Sequence, residues 1–242
     1  MASETIIKIE NANMSHHSNK GGKGKENNLV LTDVNLEVKE GEMLYLIGKV
    51  GSGKSTFLKT LYGELPLTIG DGEIVGFNLK KLRRRDIPFL RRKMGVVFQD
   101  LQLLPDRNVF ENLHFVLKAT GWKDEGKIRK RIDEILEMVN LSHKTYKMPH
   151  HLSGGEQQRL TIGRAFLNEP KLILADEPTR NLDPQSIDDV MQLFCTLRDK
   201  GCSIIIATHD ILTIKSYLSR TLFFDSGEMK EIDMQAFINS NN

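Results

Sequence analysis

One short stretch narrows the folds open to this chain more than any other feature. Gly48-Lys49-Val50-Gly51-Ser52-Gly53-Lys54-Ser55 fits the pattern G-x-x-x-x-G-K-[ST]. Met43-Leu44-Tyr45-Leu46-Ile47 before it is apolar and β-rich. Lys54 to Gly63 after it reads as a helix, with Phe57, Leu58, Leu61 and Tyr62 at helical spacing. A strand, a glycine loop and a helix in that order wrap backbone amides around an anion. The glycines remove Cβ clashes, and the helix adds its unpaired N–H groups and the positive end of its dipole. Gly48, Lys49, Val50, Gly51, Ser52, Gly53, Lys54, Ser55 and Thr56 are therefore the candidate nucleotide contacts. Lys54 has the reach for the terminal phosphates, and the Ser55 hydroxyl suits Mg²⁺.

A second element supplies carboxylates. Leu172-Ile173-Leu174-Ala175 is an apolar run ending in Asp176-Glu177, with Pro178 closing it. Asp176 at the strand end is placed to hold Mg²⁺, and Glu177, pointing elsewhere, is a candidate for polarising an attacking water. Ser203 to Ala207 is another short apolar run, Met94 to Phe98 reads as a strand, and Leu222-Phe223-Phe224 reads as a last one. All-apolar strands alternating with amphipathic helices, such as Ile128 to Val139, predict an α/β fold with a mainly parallel sheet. The stretch from about 100 to 160 is mostly helical and is expected to be a subdomain inserted within one domain spanning 1–242. Ser15 to Asn28 is rich in Ser, Asn, Gly and Lys and is expected to be a flexible loop.

Composition removes several function classes. Thirty-four Lys and Arg against 32 Asp and Glu give a net charge of +2, which selects neither nucleic acid nor an acidic surface as partner. No apolar run approaches the ~20 residues of a spanning helix. The polar N-terminus, with no apolar run, is not expected to act as a secretory leader. Cys195 and Cys202 fit no metal spacing or disulfide framework, so a reducing compartment is the default. The basic runs Lys80-Lys81-Leu82-Arg83-Arg84-Arg85 and Arg91-Arg92-Lys93 read first as a solvated face. A membrane-surface contact is an alternative. Nucleic acid is disfavoured because few aromatics are interleaved.

Leu152-Ser153-Gly154-Gly155-Glu156-Gln157-Gln158-Arg159 opens a helical run to Phe166. Ser153 and Glu156 form a capping box, and the two glycines are expected to leave the helix N-terminus uncovered, so that an anion can approach. The chain would then carry one complete phosphate cradle and one half-site. A head-to-tail pair of chains, each half-site covering the partner's nucleotide, resolves that mismatch.

These residues resemble the motifs of ABC-type ATPases. Leu152 to Arg159 looks like that family's signature, with Ser153, Gly154, Gly155 and Glu156 acting on the nucleotide of the other protomer. The rest of the pattern follows in order. Gln99 resembles the family glutamine that contacts Mg²⁺ and water. Asn181-Leu182-Asp183 resembles its D-loop. His209 resembles the histidine that contacts the γ-phosphate. The resemblance implies ATP and Mg²⁺ as cofactors, ATP hydrolysis with Glu177, His209 and Gln99 as catalytic residues, and a metal set of Ser55, Gln99 and Asp176. It also implies a parallel core sheet with an antiparallel N-terminal β part, an ATP-dependent homodimer and an integral membrane partner of permease type. The base-stacking aromatic of the family falls at His16 or His17, and Arg180 stands where relatives commonly carry glycine. Ile87 to Arg92 with Phe98 to Val109, above all Asp106-Arg107 followed by Val109, is most similar to the cell-division members of the family. That similarity implies a peripheral position at the cytoplasmic face of the plasma membrane. Transport ATPases for lipoprotein release, export or amino-acid uptake are the alternative. Nucleic-acid-binding relatives usually carry two cassettes or a long coiled coil, so nucleic acid is not expected.

Overall fold

The computed structural model describes residues 4–18 and 26–240. The first strands, β1 (Thr5–Ser18) and β2 (Glu26–Lys39), form an antiparallel hairpin. β3 (Met43–Gly48) leads through the glycine loop into α1 (Lys54–Leu61). β4 (Ile69–Ile74) and β5 (Phe77–Asn78) then join the hairpin in a four-stranded antiparallel sheet of order β2-β1-β4-β5. After α2 (Ile87–Arg92) and β6 (Met94–Val97) come α3 (Val109–Ala119), α4 (Glu125–Met138) and α5 (Gly154–Phe166). β7 (Leu172–Asp176), α6 (Pro184–Asp199), β8 (Ser203–Ala207), α7 (Ile211–Ser216), β9 (Arg220–Asp225), β10 (Glu228–Ile232) and α8 (Met234–Ser240) complete the chain.

The second sheet has six strands in the order β10-β9-β3-β8-β7-β6. All its pairings are parallel except β9 with β10. Pleating sends alternate side chains to opposite faces, and both faces are covered. Met43, Tyr45 and Ile47 of β3, with Ile204 and Ile206 of β8, pack against α3 to α6. Leu44 and Leu46, with Ile205 and Ala207, pack against α1 and the antiparallel sheet. The apolar face of α4 (Ile128, Ile132, Ile135 and Leu136) is fully buried in the first of these cores.

The structure departs from the sequence expectations at three places. The Ser15–Asn28 segment is not a loop throughout. The hairpin runs on into it, pairing Ser15 with Leu29, His16 with Asn28, His17 with Asn27 and Ser18 with Glu26. Cross-strand hydrogen bonds there override the weak β propensity of Ser and Asn. Residues 19–25 lie outside the described residues. Leu222 to Phe224 belong to β9, which is followed by the antiparallel β10 and so is not last. Finally, β6 ends at Val97, one residue short of the expected Phe98, with Gln99 beyond it.

Parallel pairing decides where the site forms. Leu46 on β3 and Asp176 on β7 both stand opposite Ala207 of β8, and Val97 stands opposite Ala175. The carboxyl ends of four strands therefore finish at one edge of the sheet, where ligands of open α/β sheets bind.

Candidate functional site

The loop after β3 is shaped by steric necessity. Gly48 has φ 145°, and a Cβ there would meet the Phe224 carbonyl oxygen at 2.3 Å and Ser52 Oγ at 2.8 Å. α1 starts at Lys54 with Gly53 as N-cap and no side-chain cap. Every other described helix of eight residues or more has one: Asn108, Asp124, Ser153 and Asp183 cap α3 to α6. The first N–H groups of α1 are thus left for an anion. Lys54 is buried, and its Nζ donates to the Gly48 and Lys49 carbonyls at 2.7 and 3.1 Å. An ammonium has three protons, so one remains to donate outward. Burial lowers the Lys54 pKa, with Glu177 and Asp176 opposing that shift. Ser52 Oγ is buried without a hydrogen-bond partner among the described residues.

Asp176 ends β7, and its Oδ2 accepts from Ser55 Oγ at 3.0 Å. Burial raises its pKa, and the Ser55 hydrogen bond works against the rise. Glu177 then leaves the strand at φ 49°, its N–H donating to the Ala207 carbonyl at 2.8 Å. A left-handed glutamate is uncommon, and it turns this side chain away from the strand direction. Glu177 Oε1 lies 2.7 Å from His209 Nδ1. The imidazole Nε2 has no hydrogen-bond partner among the described residues.

Val50, Gly51, Gly53, Lys54, Ser55, Thr56, Gln99, Asp176, Glu177, Arg180 and His209 line one cavity of about 320 Å³. Loop, glutamine, carboxylates and histidine, distant in sequence, are thus brought together. Arg180 joins them, and its guanidinium makes no ion pair among the described residues. No spacing rule marked it, because it sits in the turn after the carboxylates. His16, exposed on β1, does not line this cavity, and the His17 side chain lies outside the described residues.

Ser153, Gly154, Gly155, Glu156 and Asp183 are also outside the cavity. The capping box at α5 forms as the sequence implies: Ser153 Oγ accepts from the Glu156 N–H, and Glu156 Oε2 accepts from the Ser153 N–H. The hydroxyl proton of Ser153 stays available. Burial pushes the Glu156 pKa up, but Lys144 and the Ser153 N–H outweigh it and hold the carboxyl below its usual range. The two glycines, however, do different things. Gly154 is exposed, whereas Gly155 is buried, and a Cβ there would meet Ser186 Oγ at 2.3 Å. That hydroxyl donates to Asp183 Oδ2 at 2.6 Å, so Gly155 lets α5 press against the N-terminus of α6, while Ser153 and Gly154 stay exposed. Gly155→Ala is expected to cost about 1–3 kcal/mol through overpacking. Gly154→Ala, with Leu182 Cδ2 at 3.6 Å as its nearest neighbour, should stay within about 0.5 kcal/mol of the parent. Urea unfolding measures both, and equal losses would contradict this packing.

A phosphate loop with an uncapped helix, a strand-end carboxylate pair and a histidine at one edge of a parallel sheet define a P-loop nucleotide hydrolase of cassette type. The ABC transporter family profile matches residues 31–180, and the chain belongs to that family and is an ATPase. Cell division ATP-binding protein FtsE of Streptococcus pneumoniae (strain D39) is 41% identical over 199 residues, covering 82% of this chain and 86% of that protein. Methionine import ATP-binding protein MetN of Carboxydothermus hydrogenoformans is 37% identical over 209 residues, covering 86% and 62%. Among solved structures, the dimeric post-hydrolysis state of the ATP-binding cassette MJ0796 bound to ADP and Pi superposes with a TM-score of 0.81 at 33% identity, covering 94% of this chain and 98% of that one.

Proposed function

We propose that this chain is the ATP-hydrolysing subunit of an FtsE-like membrane complex, working with an FtsX-like integral membrane protein to control cell-wall hydrolysis at division. It would sit at the cytoplasmic face of the plasma membrane, held there by that partner. Among the described residues, no helix is long and apolar enough to cross a membrane itself. The observation that carries the reading is the similarity to FtsE proteins of several bacteria, at 39–42% identity over 81–82% of the chain. A groove of about 390 Å³, lined by Tyr62, Phe98, Gln102, Leu104 and Phe115 among others, suits a short helix of the membrane partner.

In this reading the loop amides and Lys54 hold the β- and γ-phosphates. Ser55 and Asp176, already in contact, are a fitting pair of hard oxygen donors for Mg²⁺, with Gln99 beside them. Mg²⁺, when bound, neutralises phosphate charge. Glu177 orients and polarises the attacking water, and His209, positioned by Glu177, faces the γ-phosphate. The water oxygen bonds to the γ-phosphorus, the bond to the ADP oxygen breaks, and catalysis is mainly positioning and charge stabilisation. Ser153 serves the nucleotide of a second copy, so ATP favours a closed homodimer and hydrolysis releases it.

Mixing a Ser153→Ala chain with a Lys54→Ala chain tests the sandwich. Heterodimers should regain phosphate release at the site that combines the intact residues, and no recovery in proven heterodimers would refute it. The likeness to MetN supports a second reading, a transporter ATPase serving import, export or lipoprotein release. Capture of the tagged chain from detergent-solubilised membranes separates the two. An FtsX-like protein is the expected catch, and a substrate permease would favour transport.

A further inference from the structure

Eight Lys and Arg stand between positions 80 and 93, with Asp86 the only acid among them. The fold explains how they are displayed. Leu82, Ile87 and Leu90 pack down around Gly63, where a Cβ would meet Leu82 Cδ2 at 2.9 Å. The segment is thereby pinned as an elbow, and Lys81 just before the anchors and Arg83, Arg84 and Arg85 between them are exposed. Asp86 is spent on the backbone: its Oδ2 accepts from the Arg83 N–H at 3.1 Å. Its other oxygen lies 3.9 Å from Arg85 Nε, a loose contact. Lys81, Arg83 and Arg84 make no side-chain hydrogen bond or ion pair among the described residues. The charge run of α4 behaves differently, with Arg129 on Asp133 and Arg131 on Glu134. Glu125, Asp133, Glu134 and Glu137 stand among the α4 cations, whereas the elbow has only Asp86.

At the elbow's apex Phe89 is 57% exposed, and the Arg92 guanidinium lies 5.4 Å from the ring centroid. An exposed apolar ring on α2, a few residues after a run of unpaired cations, suits the boundary between headgroups and acyl chains. It does not suit nucleic acid, which asks for open aromatic faces along a groove. Arg91 joins this surface to the groove assigned above to a membrane partner, which it also lines. We infer that the elbow is a binding surface for the anionic headgroups of a phospholipid bilayer, lying flat on the membrane beside that partner. Its orientation rests on the functional reading above.

The test is flotation of the full chain with vesicles. It should bind phosphatidylglycerol-containing vesicles at about 0.1 M salt, lose them towards 1 M, and ignore pure phosphatidylcholine. Arg83→Gln, Arg84→Gln and Arg85→Gln together should lower partitioning on the order of a hundredfold, roughly fivefold per cation. Phosphate release should not change, because none of the three lines the nucleotide cavity. If the triple variant folds poorly, Lys81→Gln with Arg84→Gln is the second probe, with a drop of roughly 25-fold. Unchanged partitioning of a folded variant, equal binding to neutral vesicles, or tighter binding to single-stranded DNA through the same side chains would each overturn the proposal. Failure to capture any membrane partner while vesicle binding persists would strike the functional reading instead.

Discussion

Glu177→Gln should abolish most ATP turnover while ATP stays bound. The glutamate side chain is 14% exposed, sits in the cavity with Lys54 and Asp176, and contacts His209 at 2.7 Å. Glutamine has nearly the same shape, so the loop, the metal pair and the left-handed turn at 177 are left in place. What disappears is the negative charge that polarises water in the proposed mechanism and the acceptor beside the imidazole. Loss of a positioned base costs about 10²–10⁴-fold in rate. Phosphate release should fall by that factor, and light scattering should show an ATP-bound dimer accumulating. Turnover at the parental rate would remove Glu177 from the assigned role.

Lys54→Ala should act on binding first. The ammonium bridges two loop carbonyls, which hold it in place in the cavity wall. In the proposed mechanism its removal takes a charge-assisted hydrogen bond from the phosphates, worth about 1.5–3 kcal/mol, and leaves the Gly48 and Lys49 carbonyls to find other donors. Calorimetric titration should give ATP affinity weakened roughly tenfold to a hundredfold. The fold should survive, because Phe57, Leu58 and Leu61 on the same helix keep their buried contacts. An unchanged affinity would mean that the phosphates lie elsewhere.

Much of this was legible in local sequence. The loop, α1, β7 with Asp176 and the Ser153–Glu156 box each depend on residues a few positions apart, where spacing and backbone stereochemistry settle the outcome. The hairpin over Ser15–Asn28 was not legible, because a strand of Ser, His and Asn forms only when a partner strand supplies its hydrogen bonds. Gly155 was half legible. The sequence marks it as a glycine at a helix start, but its reason is Ser186, thirty-one positions away.

By itself, then, the order of residues determined the phosphate cradle, the α/β alternation and the family motifs, since these follow from short-range sterics, hydrogen bonding and periodicity. The resemblance implied that Gln99, Glu177 and His209 act together; the tertiary structure shows them in one wall with Lys54 and adds Arg180. Parallel strands in register bring their carboxyl ends to one edge, and that convergence depends on which strands pair, which no local pattern encodes. The same holds for the elbow at 79–93, whose cations are a run of letters in the sequence. They become a surface because Leu82, Ile87 and the buried Leu90 pack around Gly63 and leave the charges outside.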